Sequence, residues 1–274
     1  MRKFIISDIN GLSDLYYSIM TYLENISQTD EVELYINGNL IGIDNENVLE
    51  TDLLSDVIQR IESNNMKFKI IYLAGNNEIE FYKTFIGTNK KILFEHVMEF
   101  LGNLPIYHRF EETMNDKRIV LAHANSPSVA IGKCNIFVKD IDGDKAISNE
   151  ITKCVGSNNI KRFSNIGSRD YFSIVGYNPC SSPYGYNYEY NGNYLNIDGG
   201  CGIYLKGFTS YNHFPLVEIC TNESNETLLN ILTFNSNNEI IFGNHFSKKG
   251  HIPYTQEELE VAKKLLNSEK QSRI

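Results

Sequence analysis

The chain has 274 residues and a mass of 31.3 kDa, which is enough to bury a full hydrophobic core. We expect one domain over residues 1–274. The 25 basic and 34 acidic residues give a formal charge of −9 and a pI near 5.2. A surface of this sign opposes binding to phosphate backbones and anionic lipid, so nucleic acid and membrane are not expected partners.

The sequence also bears on the compartment. No apolar run approaches the roughly 20 residues that span a bilayer, and the N-terminal "MRKFIISDIN" turns polar too early for a signal peptide. A cytoplasmic protein is therefore expected. The five cysteines are spread without close pairs, which favours reduced thiols over a disulfide framework or a zinc site. They are Cys134, Cys154, Cys180, Cys201 and Cys220.

The first third of the chain alternates between strand and helix patterns. Apolar runs predict strands at 3–9, 32–38 and 68–75, and helical spacing predicts helices at 12–26 and 47–63. Ser13 is the predicted N-cap of the first helix. Strands that alternate with helices indicate an α/β fold in which the first three strands are parallel.

The remainder predicts short helices followed mainly by strands. Helices are expected near 79–85 and 90–104, and a hairpin at 106–124 should turn near Asn115 and Asp116. Further strands are predicted at 171–177, 193–200, 214–221, 227–234 and 238–243. Residues 126–169 are a candidate cap over a pocket, with a helix near 146–155. Thr255 and Glu258 form a capping box that opens a C-terminal helix at 255–267.

A tyrosine-rich stretch at 184–190 alternates aromatic with small or polar residues. Period-two spacing places Tyr184, Tyr186, Tyr188 and Tyr190 on one face of an extended segment. Such a face either packs as aromatic cover or forms a partner surface, and packing is favoured because aromatic side chains in strands normally bury.

Polar motifs follow five of the predicted strands, at the edge where open α/β sheets bind ligands. They read "SDING", "GNLIGID", "GNNE", "AHA" and "GYNP" in chain order. Each alone is ordinary turn chemistry. In this order they resemble the calcineurin-like metallophosphoesterase family, in the branch of serine/threonine phosphoprotein phosphatases and diadenosine-tetraphosphate hydrolases. The resemblance implies an αββα sandwich of two mixed sheets flanked by helices.

Members of that family bind two divalent metals and attack phosphorus with a metal-held water. Three positions of this chain retain the family's metal ligands in the alignment of motifs. They are Asp8, Asn76 and His123.

At five other positions this chain departs from the family. Asn10 and Tyr177 stand where the family has histidine ligands, and Asn39 stands where it has the bridging aspartate. Asn77 occupies the position of the histidine that acts as general acid, and Ile43 that of the phosphate-binding arginine. Two dications about 3.5 Å apart repel by about 19 kcal/mol at an effective dielectric of about 20, and Asp8 is the one matched carboxylate left to offset this.

Three hypotheses remain open, the first two of which follow from the resemblance. The first is a catalytically inactive pseudophosphatase that binds a protein or a phosphorylated ligand and needs no cofactor. The second is a weak hydrolase of phosphomonoesters, phosphoproteins or dinucleoside polyphosphates, which holds one divalent metal such as manganese through Asp8, Asn76 and His123. The third is a repurposed enzyme that uses Cys180 or Cys201 with a histidine.

Overall fold

The computed structural model describes residues 1–44, 47–49, 51–63, 68–86, 95–128, 135–156, 170–180, 188–207 and 213–267. The predictions for Cys134, Tyr184 and Tyr186 lie outside these residues. The same holds for the side chain of Ile43 and for residues 129–134 and 157–169 of the predicted cap.

The described elements alternate between strand and helix in the first third and are mainly strands thereafter. The strands are β1 (Arg2–Ile6), β2 (Val32–Asn37), β3 (Gly42–Asp44), β4 (Asn47–Leu49), β5 (Lys69–Leu73), β6 (Tyr107–Met114), β7 (Lys117–Ala122), β8 (Tyr171–Val175), β9 (Glu189–Tyr190), β10 (Tyr194–Asn196), β11 (His213–Thr221), β12 (Thr227–Asn235), β13 (Ile240–Ser247) and β14 (Gly250–Pro253). The helices are α1 (Ser13–Ile26), α2 (Thr51–Glu62), α3 (Asn76–Ile86), α4 (Glu95–Gly102), α5 (Lys145–Val155), α6 (Cys201–Tyr204) and α7 (Gln256–Asn267), with a 3-10 helix at Val138–Asp142.

Two mixed sheets organise these strands. The larger has the order β14-β13-β12-β11-β1-β2-β5, and the smaller has the order β6-β7-β8-β10-β9. Strands β1, β2 and β5 are parallel, with Ile5 opposite Tyr35 and Tyr35 opposite Ile71, as the sequence predicts. In the smaller sheet β7, β8 and β10 are parallel. The α/β class with two mixed sheets flanked by helices is therefore confirmed.

The buried side chains divide into two clusters because strand residues alternate between faces. Ile5 of β1 belongs to a cluster that also contains Leu121 of β7 and Ile174 of β8, so this cluster fills the space between the sheets. Its neighbours Phe4 and Ile6 belong to the second cluster, with residues of α1, α2 and α5. The two sheets thus pack on each other, and helices cover their outer faces.

Two local predictions are wrong. Ser13 is the first residue of α1 and Leu12 is its N-cap, without a side-chain cap bond. Residues 47–49 form β4, which pairs with β3 in a hairpin, so α2 begins at Thr51. The helix predicted near 79–85 is confirmed as α3; it begins earlier, at Asn76, because its first turn is held by side-chain bonds that hydrophobic periodicity does not register.

Two other local predictions are confirmed. The hairpin of β6 and β7 turns at Asn115 and Asp116, which both have positive φ. At α7 the Thr255 backbone N–H donates to Glu258 Oε2 at 2.7 Å, and the Glu258 N–H donates back to Thr255 Oγ1 at 3.3 Å. Strand β14, which extends the larger sheet, was not predicted.

The described part of the 126–169 segment contains the 3-10 helix and α5. Val138 N–H donates to the Leu104 carbonyl, and the carbonyl of Cys154 accepts from Ala124 N–H. This segment therefore packs beside the loop that follows β7, and its role as a cap stays a prediction. No described helix is long and apolar enough to cross a membrane.

The described tyrosines of the 184–190 stretch pack against the larger sheet. Tyr188 is buried, and the rings of Tyr188 and Tyr190 lie 5.8 and 4.8 Å from the ring of Phe246. Asn244 also donates a hydrogen bond to the Tyr188 hydroxyl. For these two residues the packing interpretation is confirmed.

The parallel centre of the larger sheet should carry much of the stability. Leu34 is fully buried in β2, so Leu34→Ala should lower the free energy of unfolding by about 2–5 kcal/mol in urea titrations. The control is Ile252→Ala, since Ile252 is 69% exposed on β14 and its loss should change stability by less than about 0.5 kcal/mol. Equal effects of the two variants would contradict this assignment of the core.

Candidate functional site

The structure brings together seven of the predicted site residues. Each follows the carboxyl end of a parallel strand, where the loops of both sheets meet. Direct contacts between their side chains or backbone groups connect Asp8 and Asn10 after β1, Asn39 after β2, Asn76 and Asn77 at the start of α3, His123 after β7, and Tyr177 after β8. Their roles as metal ligands or as replacements for ligands stay predictions.

The backbone is strained at four of these positions. Asp8, Asn10, Asn39 and Tyr177 have φ values of 55°, 49°, 49° and 71°. Asn and Asp tolerate the left-handed region, whereas a tyrosine there is an outlier. Such strain is typical of functional sites, where the surrounding structure holds it.

Two glycines allow the strand ends to approach closely. A Cβ on Gly38, whose φ is 76°, would lie 2.5 Å from the Gly75 nitrogen. A Cβ on Gly176 would lie 2.0 Å from Asp8 Oδ2 and 2.1 Å from Ser7 Oγ. The loops after β2 and β5 therefore contact each other directly through their backbones, and the loop after β8 packs its backbone against the side chains of Ser7 and Asp8 after β1.

The Asp8 carboxylate is buried and accepts three hydrogen bonds. Ser7 Oγ donates to Oδ2 at 2.6 Å, the Tyr177 N–H donates to Oδ2 at 3.0 Å, and Asn39 Nδ2 donates to Oδ1 at 3.1 Å. These three hydrogen bonds offset the cost of burying the carboxylate without a salt bridge to Lys or Arg.

Backbone groups fix the orientation of the asparagine amides. The Asn77 N–H donates to Asn39 Oδ1 at 3.0 Å, so Asn39 must turn its Nδ2 towards Asp8 Oδ1 and Asn76 Oδ1, each 3.1 Å away. The Ile41 carbonyl accepts from Asn77 Nδ2 at 2.8 Å. Asn77 Oδ1 therefore faces Asn76 Nδ2, and Asn76 Oδ1 faces inward.

His123 is fully buried and lies at the other side of Asn76. Its Nδ1 lies 2.8 Å from the Asn37 carbonyl, which accepts hydrogen bonds only, so Nδ1 is the donor. Its Nε2 then faces two further acceptors, Asn76 Oδ1 at 3.1 Å and Asp8 Oδ1 at 3.7 Å. The ring of Tyr177 packs edge-on against the imidazole at 5.8 Å. His123 Nε2, Asn76 Oδ1 and Asp8 Oδ1 therefore form one cluster of polar atoms.

Glu78 belongs to the "GNNE" motif, but sequence reasoning assigned it no role. It is fully buried, and its carboxylate accepts backbone N–H groups of Gly75 and Asn39 at 2.8 Å and of Leu40 at 3.1 Å. The Tyr72 hydroxyl donates to it at 2.7 Å. Glu78 thus joins the first turn of α3 to the loop that carries Asn39.

Asp198, in the "IDGGC" stretch, was also not predicted as a site residue. Burial raises the pKa of its carboxyl well above the usual range, and the negative charge of Asp8 raises it further. The Gly200 N–H donates to Oδ1 at 2.8 Å and partly opposes this rise in pKa. Sequence reasoning missed Asp198 because only the fold shows that this carboxyl, which two glycines follow in the chain, is buried.

The donor atoms do not fit a two-metal centre. A ligand that bridges two metals must direct an oxygen towards them, beside Asp8 Oδ1 and Asn76 Oδ1. Asn39 instead directs its amide N–H at these two oxygens. Among the described residues no group of three or more His, Cys, Asp and Glu side chains could hold a metal. Asp8 Oδ1, Asn76 Oδ1 and His123 Nε2 are the atoms that could contribute to a single cation site.

The described cysteines do not form a nucleophilic centre. Burial is the largest cause of a raised pKa at Cys180 and Cys201, and the carboxylates of Asp198 and Asp8 raise both pKa values further. Burial raises the pKa of Cys220 to about 11. An activated thiol requires the opposite shift, so the structure gives the cysteine hypothesis no support.

No protein-family model matches the chain, and a search of curated proteins finds no significant match. Among solved structures it is similar to a point mutant of a cold-active protein tyrosine phosphatase, with a TM-score of 0.48 and 10% identity over 88% of this chain and 79% of that chain. A likeness at this level carries no argument about family or chemistry.

Removal of the Glu78 charge should destabilise the loop that carries Asn39. In Glu78→Gln an amide NH₂ would face backbone N–H donors, so we expect a loss of at least about 3 kcal/mol in the free energy of unfolding. Glu80→Gln is the matched control because Glu80 is exposed on the same helix, and its effect should stay below about 0.5 kcal/mol. A Glu78→Gln protein as stable as the control would contradict the role assigned to this carboxylate.

The raised thiol pKa values predict slow alkylation. At pH 8 the native protein should lose almost no free thiol at Cys154, Cys180, Cys201 and Cys220 to iodoacetamide, since the thiolate is the reactive form. In urea all four should react at the rate of a free thiol. Peptide mass spectrometry gives the rate at each site, and fast labelling of Cys180 or Cys201 in native protein would revive the cysteine hypothesis.

Proposed function

We propose that this chain is a degenerate calcineurin-like metallophosphoesterase that acts in binding or regulation as a pseudophosphatase. The observation that carries the proposal is the orientation of Asn39, whose N–H points towards Asp8 Oδ1 and Asn76 Oδ1. In the family a carboxylate bridges two metals from the matching position. An amide N–H directed at the remaining ligands repels a cation there.

The other replacements support the same interpretation. Asn77 donates its amide to the Ile41 carbonyl and to Asn10 Oδ1, so it is engaged in structure where the family has an acid catalyst. The Tyr177 ring packs on His123, where the family has a further metal-binding imidazole. Each replacement forms a contact within the protein and removes a metal ligand or proton donor of the family pattern.

A binding role is supported by the ordered geometry of the site, which the replacements of ligand residues leave intact. Hydrogen bonds within the protein hold the strained loops around the buried Asp8. We propose that the partner is a protein or a phosphorylated ligand, as the resemblance favours, and that the chain acts in the cytoplasm. The acidic net charge disfavours nucleic acid and membrane as partners.

The second candidate is a weak hydrolase with a single metal, and the environment of His123 favours it. Nε2 lies close to Asn76 Oδ1 and Asp8 Oδ1, and one divalent cation such as manganese could take these three atoms as ligands if the Asn39 amide, which now donates to both oxygens, turned away. A bound cation would polarise a phosphoryl oxygen. The chain's own contribution would be to hold Asp8 through Ser7 and Tyr177 and to exclude water through the burial of His123.

The pseudophosphatase proposal predicts no appreciable turnover of p-nitrophenyl phosphate, a phosphopeptide or diadenosine tetraphosphate in the presence of manganese. The reason is that bridging ligand, acid and phosphate cation are replaced together, and such groups act as a unit. Turnover of about 1 per second or faster that is abolished in both Asp8→Ala and His123→Ala would overturn it.

The matched gain-of-function variant combines Asn10→His, Asn39→Asp, Asn77→His, Tyr177→His and Ile43→Arg. Single replacements should have little effect, whereas the combined variant should bind manganese and gain measurable hydrolysis. Metal analysis after dialysis separates the two candidates. If the chain is a pseudophosphatase, the wild-type protein should retain no stoichiometric manganese. If the wild-type protein retains one equivalent of manganese and the His123→Ala variant retains none, the single-metal hydrolase is favoured.

A further inference from the structure

A cavity of about 580 Å³ lies beneath α7, away from the candidate site. Its walls come from α7, from Tyr22 of α1 and from Arg2, Glu218, Asn230 and His245 on strands of the larger sheet. None of the residues that line it belongs to the network around Asp8. Its volume lies within the roughly 300–1,000 Å³ of small-molecule sites.

The floor of the cavity is a polar row that crosses three strands in register. Glu218 of β11 pairs with Asn230 of β12, which pairs with His245 of β13. Asn230 Nδ2 donates to Glu218 Oε2 at 3.0 Å, and Asn230 Oδ1 lies 2.7 Å from His245 Nδ1. The side chains of this row therefore form hydrogen bonds with one another, and these bonds fix their positions at the floor of the cavity.

Two tyrosine hydroxyls of the cavity lining have no such partners. Tyr22 is only 3% exposed and its ring packs edge-on against Phe4 and Phe234. Its hydroxyl is near the charges of Arg2 and Glu218, which act on its pKa and also line the cavity. Within the described residues neither this hydroxyl nor that of Tyr254 makes a hydrogen bond, although neither oxygen is completely enclosed. Both oxygens can therefore form hydrogen bonds with a ligand that enters the cavity.

The hydroxyls offer both a donor hydrogen and acceptor lone pairs. Burial raises the pKa of Tyr22 and of Tyr254 far above 10, so both remain protonated at neutral pH. A ligand group with several N–H or O–H hydrogens can donate to both oxygens at once.

The charge balance of the lining favours a cation. Arg2 is paired with Glu218 at 2.6 Å, and His245 Nε2 lies 3.0 Å from Glu258. Glu257 lines the same cavity and has no ion pair in the described part of the chain. The dipole of a helix attracts anions to its first turn, but in α7 the negative charges of Glu257 and Glu258 in that turn oppose this attraction.

We propose that this cavity is a binding site for a small organic amine in its ammonium form. The ammonium group donates to the oxygens of Tyr22 and Tyr254 and lies in the field of Glu218 and Glu257. The apolar body of the ligand packs against Val261, Ala262 and Leu265 of α7, which line the cavity.

The test compares three probes of similar shape by isothermal titration calorimetry and by amide chemical shifts. They are 2-phenylethylamine, its alcohol analogue 2-phenylethanol, and the anion 3-phenylpropionate. We expect the amine to bind at least about tenfold more tightly than the other two, with shifts centred on Tyr22, Tyr254 and α7. Failure of the amine to bind, or equal binding of the anion, overturns the proposal.

The variants separate binding from folding. Tyr22→Phe keeps the ring that packs on Phe4 and Phe234, so it should not lower the melting temperature but should weaken the amine about fivefold. Tyr17→Phe on the same helix lies outside the cavity and should leave binding unchanged. Glu257→Gln should also weaken the amine and not the alcohol. Unchanged affinity in both Tyr22→Phe and Tyr254→Phe rejects the site.

Discussion

The candidate site depends above all on the buried carboxylate of Glu78. Its two oxygens accept backbone N–H groups from both sides of the gap between β2 and β5, and they also accept the Tyr72 hydroxyl. Hydrogen bonds to a charged acceptor are stronger than neutral ones, and burial increases the cost of losing any of them. Through this residue the loop with Asn39 and the helix with Asn76 keep one relative position, while the glycines at 38 and 75 permit the close approach.

The side-chain amides of Asn39, Asn76 and Asn77 form a hydrogen-bond network between the loops that Glu78 holds. Carboxylates at these positions would repel one another unless cations lay between them. An amide donates and accepts, so Asn39 links the Asn77 N–H to Asp8, and Asn77 links the Ile41 carbonyl to Asn76. A carboxylate in place of Asn39 would bring two acceptors against Asp8 and would need a positive charge between them. The amides at 39 and 77 therefore maintain the shape of the site by hydrogen bonds rather than by metal coordination.

The sequence predicted the strands and the convergence of their loops well, because apolar runs and polar strand ends are local signals. It failed where a tertiary contact decides local structure. Residues 47–49 have a helical pattern but pair with β3, and Asn76 begins α3 because Asn39 and Glu78 hold its first turn. Glu78 and Asp198 could not be recognised as buried, since an acidic residue is normally placed at the surface and only the fold shows what surrounds it.

The remaining question is why the strain at Asp8, Asn10, Asn39 and Tyr177 persists. A metal centre is not needed to hold it, since the backbone at Tyr177 is bonded to Asp8 and that at Asn39 to Glu78. The bonds that fix this backbone are internal to the protein, so they hold the strain whether or not a ligand is bound. His123 adds a further link, because its Nε2 lies 3.1 Å from Asn76 Oδ1 and 3.7 Å from Asp8 Oδ1. The buried imidazole thereby connects the loop after β7 with the loops after β1 and β5.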